Sequence, residues 1–131
     1  MSAELIARYY EAFNRADWDG MLGLLADNVA HDLNQGPREV GRAAFAEFLK
    51  RMSASYTERL TDIRILAAND GKHAAAEYVV IGQYLTTDVG LPAASGQQYR
   101  LPGGAFFDIE NGKISRVSNY YNLQEWLRQV R

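Results

Sequence analysis

The chain has 131 residues, a length typical of one domain that buries its own hydrophobic core. Lys and Arg number 14 and Asp and Glu number 16, and this net charge of -2 argues against nucleic-acid binding, which usually needs a basic excess. The absence of cysteine excludes disulfides, thiolate metal sites and thiol nucleophiles. No apolar run approaches the roughly 20 residues that span a bilayer, and the first residues do not resemble a signal peptide. We therefore expect a soluble, cytoplasmic protein without a membrane partner.

The first half of the chain has the apolar spacing of α-helices. The first helix carries one apolar stripe, formed by Leu5, Tyr9, Ala12, Phe13 and Ala16. Asp17 is a typical N-cap for a second helix, whose apolar face starts at Trp18 and ends at Leu25. Apolar residues from Phe45 to Met52 predict a third helix over residues 42–55.

A short strand is predicted between the second and third helices, over residues 29–34. Alternation places Ala30, Asp32 and Asn34 on one face and His31 on the other.

The second half of the chain has the pattern of strands, over residues 59–68, 73–87, 97–110 and 113–122. Asn111-Gly112 is a strong hairpin signal between the last two, and residues 88–96 have the composition of a loop. Helical spacing returns from Leu123 to Val130. These elements predict a single α+β domain in which three helices cover one face of a curved antiparallel sheet. The mouth of such a cone is a natural small-molecule pocket.

Two residues are candidates for catalysis. If the face with Asp32 points into the cone, burial raises the pKa of its carboxyl and makes it a usable base. The alternative is an aspartate that bonds to backbone amides of the following turn. Tyr9 is either an ordinary core tyrosine or a phenol that donates to an oxyanion.

Other kinds of site have little support in the sequence. His31 and Asp32 point to opposite faces and do not easily form a dyad, and His73 is expected to be solvated. Two histidines so far apart give no metal-ligand spacing, and there is no nucleophile elbow, P-loop or dinucleotide fingerprint. The last strand presents to the pocket either Val117, Asn119 and Tyr121 or the residues between them, Ser118, Tyr120 and Asn122. Gln83 and Tyr84 also point to opposite faces of their strand, and the sequence does not decide which of the two faces the pocket.

The chain resembles ketosteroid isomerase-like members of the NTF2-like (SnoaL-like) superfamily. The resemblance is carried by Ala7-Arg8-Tyr9-Tyr10-Glu11, Ala16-Asp17, Ala26-Asp27-Asn28-Val29 and His31-Asp32, and the order of elements extends it over the whole chain. In the steroid isomerases, a tyrosine of the first helix donates to the dienolate oxygen and an aspartate after the first strand shuttles the proton. The resemblance implies these roles for Tyr9 and Asp32, and it favours Val117, Asn119 and Tyr121 as the pocket face.

The sequence also departs from this pattern. Gly104 stands where the isomerases place a second, protonated acid, and Leu49 stands where they have a further pocket tyrosine. The loss of one oxyanion donor commonly costs about 10²–10³ in rate, which argues against true steroid isomerisation. Arg100 has no acidic neighbour on its strand, so the Asp-Arg-Asp cluster of the related epoxide hydrolases is missing. Polyketide cyclases of the superfamily use an acid on a later strand, and none is evident at an inward position here.

We therefore predict a cofactor-independent and metal-free enzyme that transfers a proton on a small apolar carbonyl compound, as an isomerase or cyclase. Asp32 and Tyr9 are the predicted catalytic residues, and the predicted ligand contacts are Trp18, Asn34, Phe48, Tyr84, Val117, Asn119 and Tyr121. The alternatives are a protein that binds a hydrophobic ligand without changing it and a partner-binding module that uses the open sheet face. The resemblance also implies a homodimer, to which Tyr120, Trp126 and Leu127 are expected to contribute.

Overall fold

The computed structural model describes residues 2–131, which form four helices and six strands. In chain order these are α1 (Ser2–Asn14), α2 (Trp18–Leu22), β1 (Leu25–Asp32), β2 (Arg38–Val40), α3 (Arg42–Ser55), β3 (Tyr56–Ala67), β4 (His73–Tyr84), β5 (Gln98–Glu110), β6 (Lys113–Tyr121) and α4 (Leu123–Val130).

The helices form where the sequence predicts them, with one change. Asp17 caps α2, and its side chain accepts a hydrogen bond of 2.9 Å from the amide of Gly20. Leu25, however, is not part of this helix, because it already begins β1 and pairs with Ile114 of β6. The first strand is therefore longer than predicted and ends at Asp32 rather than at Asn34.

The six strands form one sheet in the order β2-β1-β6-β5-β4-β3. Four of the five pairings are antiparallel, but β1 and β6 run parallel, so the prediction of a purely antiparallel sheet is wrong. The short strand β2 is absent from the predicted elements. Asn111 and Gly112 form the predicted hairpin turn with φ angles of 51° and 74°, the left-handed conformation that a two-residue turn requires.

The third strand begins three residues earlier than predicted. Tyr56 follows α3 directly and pairs with Tyr84, so that Glu58 is part of the strand and pairs with Gly82. A bulge between Thr61 and Arg64 then shifts the register, with Asp62 at a φ of 54°. Pairing with β4 determines where this strand begins, and local sequence preference carries no information on that pairing.

One hydrophobic core joins the helices to the sheet. Its buried members include Ile6 of α1, Phe45 of α3, Phe107 of β5 and Trp126 of α4. The result is an α+β fold with a curved, open six-stranded sheet and four helices, in agreement with the predicted class. No helix within residues 2–131 is long and apolar enough to cross a membrane.

Candidate functional site

A cavity of about 630 Å³ lies between the helices and the sheet. All four helices contribute to its wall, together with strands β1, β3, β4, β5 and β6. Most of the lining side chains are aromatic or aliphatic, and a small number of polar groups interrupt this surface. Such a volume and such a lining are typical of sites for small apolar ligands.

The structure places most of the predicted site residues at this cavity. Those that line it are Tyr9, Trp18, Asn34, Phe48, Asn119 and Tyr121. Tyr84 and Val117 do not line it. Both are fully buried in the core, where the ring of Tyr84 stacks on that of Tyr56.

Asp32 lies outside the cavity, so the prediction that its face points inward is wrong. Within β1, Val29 and His31 are buried in the core, and alternation turns Asp32 to the opposite side of the sheet. Its carboxylate accepts two hydrogen bonds from Arg38, of 2.6 and 3.0 Å, and one of 2.5 Å from the hydroxyl of Ser118. These bonds lower the pKa of Asp32 to about 2, which makes it a poor base.

His31 takes the inward position that was predicted for Asp32. Its ring is 1% exposed, stacks on Phe45 with centroids 4.2 Å apart, and meets the ring of Phe48 edge to face at 4.6 Å. The Nε2 atom lies 3.2 Å from the amide nitrogen of Asn119. Burial lowers the pKa of His31 to about 4, although the charge of Asp32 acts in the other direction, so the ring is neutral near pH 7.

The sequence analysis missed an acid that lines the cavity, Glu58 of β3. The hydroxyl of Tyr99 donates a hydrogen bond of 2.5 Å to its Oε2 atom. Among residues 2–131, no group donates to Oε1, so that this oxygen is free for a ligand. Protein surrounds Glu58 almost completely, yet its side chain keeps some open surface toward the cavity.

A glycine makes the contact between Tyr99 and Glu58 possible. Glu58, Gly82 and Tyr99 occupy one row across three neighbouring strands, because Glu58 pairs with Gly82 and Gly82 pairs with Tyr99. A β-carbon at position 82 would lie 2.3 Å from Cζ and 2.5 Å from the hydroxyl oxygen of Tyr99. The missing side chain therefore lets the tyrosine ring cross the middle strand and reach the carboxylate.

The apolar surroundings change the acidity of this cluster. Burial raises the pKa of Glu58, and the hydrogen bond from Tyr99 partly opposes that effect. Burial and then the charge of Glu58 raise the pKa of Tyr99, and they raise that of Tyr78 to about 12. Burial likewise raises the pKa of Tyr9. The tyrosines of this cavity wall are therefore neutral near pH 7.

A second acid lies at the loop that follows β4. The hydroxyl of Tyr56 donates a hydrogen bond of 2.8 Å to Asp88, and the amide of Asp88 donates one of 2.9 Å to the hydroxyl of Tyr84. The Tyr84 hydroxyl then donates to the carbonyl of Pro92 at 2.7 Å. These bonds hold the loop over residues 85–97 against the sheet, with Asp88 and Leu91 in the cavity wall.

A signal for Glu58 was present in the sequence. Tyr56, Glu58 and Leu60 alternate as residues of one strand face must, but the strand was predicted from Arg59, which left Glu58 in a connection. Gly82 opposite it gives a further indication, since a glycine inside a strand often marks a close approach.

Comparisons with known proteins identify the family and the fold of the chain. Residues 6–117 match the SnoaL-like domain family. A candidate polyketide cyclase from Xanthomonas campestris pv. campestris is 64% identical with a TM-score of 0.96, and the match covers 99% of this chain and 96% of that chain. A candidate polyketide cyclase from Pseudomonas putida KT2440 is 53% identical with a TM-score of 0.99, over 100% of this chain and 98% of that chain.

A more distant structure is similar over most of its length. A candidate ketosteroid isomerase from Kribbella flavida is 25% identical with a TM-score of 0.68, over 92% of this chain and 77% of that chain. No functionally curated protein matches the chain. The family match covers most of the chain, and we conclude that the chain belongs to the SnoaL-like domain family.

Proposed function

We propose that this protein is a cofactor-independent enzyme of the isomerase or cyclase type that removes a proton next to the carbonyl group of a small apolar compound. The observation that carries the proposal is the carboxylate of Glu58, which lies in an apolar cavity with one oxygen free. A carboxylate with a raised pKa in such a place is a better base than one in water. Glu58 replaces Asp32 in this role.

The reaction begins when Oε1 of Glu58 takes a proton from the carbon next to the ligand carbonyl. The electron pair of the broken C–H bond forms the carbon–carbon double bond of an enolate, and the carbonyl oxygen becomes negative. The hydroxyl of Tyr9, which lines the cavity, is the proposed donor to that oxygen. In an isomerase, the enolate is conjugated with a further carbon–carbon double bond of the ligand, and protonated Glu58 returns the proton to the far carbon of that double bond.

In a cyclase, the enolate carbon instead attacks a second carbonyl carbon of the same ligand, and Glu58 gives its proton to the new alkoxide. The similarity to two candidate polyketide cyclases supports this branch. The remaining predicted contacts that line the cavity, Trp18, Asn34, Phe48, Asn119 and Tyr121, are proposed to surround the ligand.

The test is hydrogen–deuterium exchange at carbon 2 of 1-indanone, followed by NMR in D₂O. We expect the protein to accelerate exchange and Glu58→Gln to reduce that acceleration by about 10²–10⁴, the usual contribution of a general base. Asp32→Asn is the matched control and should retain it. Saturable binding of 1-indanone without exchange would instead support a ligand-binding protein, and a loss of exchange in the control alone would restore Asp32 as the base.

We also propose that the protein is a homodimer that associates through the sheet. Phe106 and Tyr120 are each 52% exposed, and their rings meet edge to face at 5.7 Å. Trp126 is buried against Tyr84 and Tyr99, so its predicted contribution to an interface is wrong. Sedimentation should give about twice the chain mass of 14.7 kDa, and Phe106→Glu should shift the equilibrium toward the monomer.

A further inference from the structure

The carboxylate of Glu58 depends on one side chain for its orientation. Among residues 2–131, the hydroxyl of Tyr99 is the only group that donates a hydrogen bond to it, at 2.5 Å from Oε2. A glutamate side chain rotates about three bonds, and a hydrogen bond to one of its oxygens restricts that freedom. Because the bond occupies Oε2, it also determines that Oε1 is the oxygen left for a ligand.

The ring of Tyr99 is enclosed by its surroundings. The residue is 4% exposed and lies against the backbone of Gly82. Its ring meets the buried ring of Trp126 edge to face, with centroids 5.9 Å apart, and Trp126 belongs to α4. A phenol that is packed in this way keeps its hydroxyl at one place in the cavity wall.

Helix α4 also fixes the backbone beside Tyr99. Strand β6 ends opposite Gly103, so the first residues of β5 have no neighbouring strand on that side. The side chain of Gln129 replaces this neighbour, since its Oε1 accepts from the amide of Arg100 and its Nε2 donates to the carbonyl of Arg100, each at 2.8 Å. The helix thereby satisfies both backbone groups of the residue that follows Tyr99.

We propose that Tyr99 is a positioning residue for the base Glu58 and that α4 holds it in place. Trp126 and Gln129 are the contacts through which the helix acts. This inference rests on the proposed function, because it concerns the same proton removal. Misplacement of a reacting group by about 1 Å can cost about 10²-fold in rate, so the support of the base matters as much as its chemistry.

Tyr99→Phe removes the hydroxyl and keeps the ring. For exchange at 1-indanone in D₂O, we expect kcat to fall by about 10–10²-fold while KM stays within about twofold. The pH of half-maximal exchange should move upward, because the hydrogen bond from Tyr99 opposes the effect of burial on the pKa of Glu58 and its loss raises that pKa further. The base must be ionised to act, and a merely structural loss would lower the rate without moving this pH.

Gln129→Ala tests the contribution of α4 and gives the same readouts should Tyr99→Phe fail to fold. It should change kcat and the pH profile in the same direction and by less. Gln124→Ala, the same change at an exposed position of α4, should change neither. If α4 acts through Tyr99, Gln129→Ala should have no further effect in a Tyr99→Phe background. The inference is overturned if Tyr99→Phe leaves kcat and the pH profile unchanged, or if Gln129→Ala lowers kcat equally in both backgrounds.

A titration of the Glu58 carboxyl, followed by ¹³C NMR, separates this inference from the proposed function. The carboxyl should titrate at a higher pH in Tyr99→Phe than in the wild type, whether or not the protein catalyses exchange. If the wild type shows no exchange, the proposed proton removal fails, and equal titration midpoints would then overturn the positioning of Glu58 by Tyr99 as well. Exchange that requires Glu58 but not Tyr99 would overturn the inference and leave the proposed function in place.

Discussion

Gly82→Ala should disrupt the proposed active site although residue 82 carries no chemistry of its own. The added β-carbon would lie 2.3 Å from Cζ of Tyr99, more than 1 Å inside an ordinary carbon–carbon contact of about 3.5 Å. The ring has to move by about that amount, and a hydrogen bond of 2.5 Å to Glu58 does not survive such a shift.

Two costs contribute to the expected loss of stability. Overpacking in a well-packed interior typically costs about 1–3 kcal/mol, and loss of a hydrogen bond to a charged group costs about 1.5–3 kcal/mol. The two overlap, because moving the ring relieves the clash, so we expect Gly82→Ala to lower the free energy of unfolding by about 2–4 kcal/mol. Urea unfolding measures this change directly.

A double-mutant cycle identifies the ring as the cause. In a Tyr99→Ala background the alanine at position 82 has room, and the further cost of Gly82→Ala should fall below about 0.5 kcal/mol. The reasoning is refuted if Gly82→Ala alone lowers the free energy of unfolding by less than about 0.5 kcal/mol. It is also refuted if the cost is the same with and without the Tyr99 ring.

Three further predictions concern pH. The folded-state pKa of Glu58 is raised above its ordinary value of 4.5, so its contribution to stability is greatest at low pH and is lost as the pH rises above that ordinary value. Urea unfolding of Glu58→Gln at a series of pH values should lack this decline. The folded-state pKa of His31 is lowered to about 4 from 6.5, so the free energy of unfolding decreases as the pH falls from 6.5 to about 4. The decrease is at most about 1.4 kcal/mol per pH unit. Urea unfolding of His31→Phe between pH 7 and 4.5 should lack this dependence on pH. The pKa of Asp32 is lowered to about 2 from 3.8, so the stabilisation by its carboxylate is present at neutral pH and is lost as the pH falls from about 4 to 2. In urea unfolding, Asp32→Asn should lower the free energy of unfolding by on the order of 1 kcal/mol at pH 7 and by less at pH 2.

The sequence was sufficient for the fold class, since α1, α3 and the β5–β6 hairpin carry strong local signals. Alternation along β1 also divided Asp32 and His31 correctly between two faces. It did not say which face is inward, because each face carries a polar residue, Asp32 on one and His31 on the other, beside small or apolar neighbours. The inward face follows from the parallel pairing of β1 with β6, a contact between segments more than 80 residues apart.

The proposed base illustrates a different limit. Glu58 is polar and lies three residues after the end of α3, so its own hydrophobicity does not mark it as buried, and only its alternation with Tyr56 and Leu60 indicates which face it shares. It becomes part of the site only through the row that it forms with Gly82 and Tyr99 on three strands. Such a row depends on register, and register is determined by hairpin geometry and by the core rather than by the residue itself.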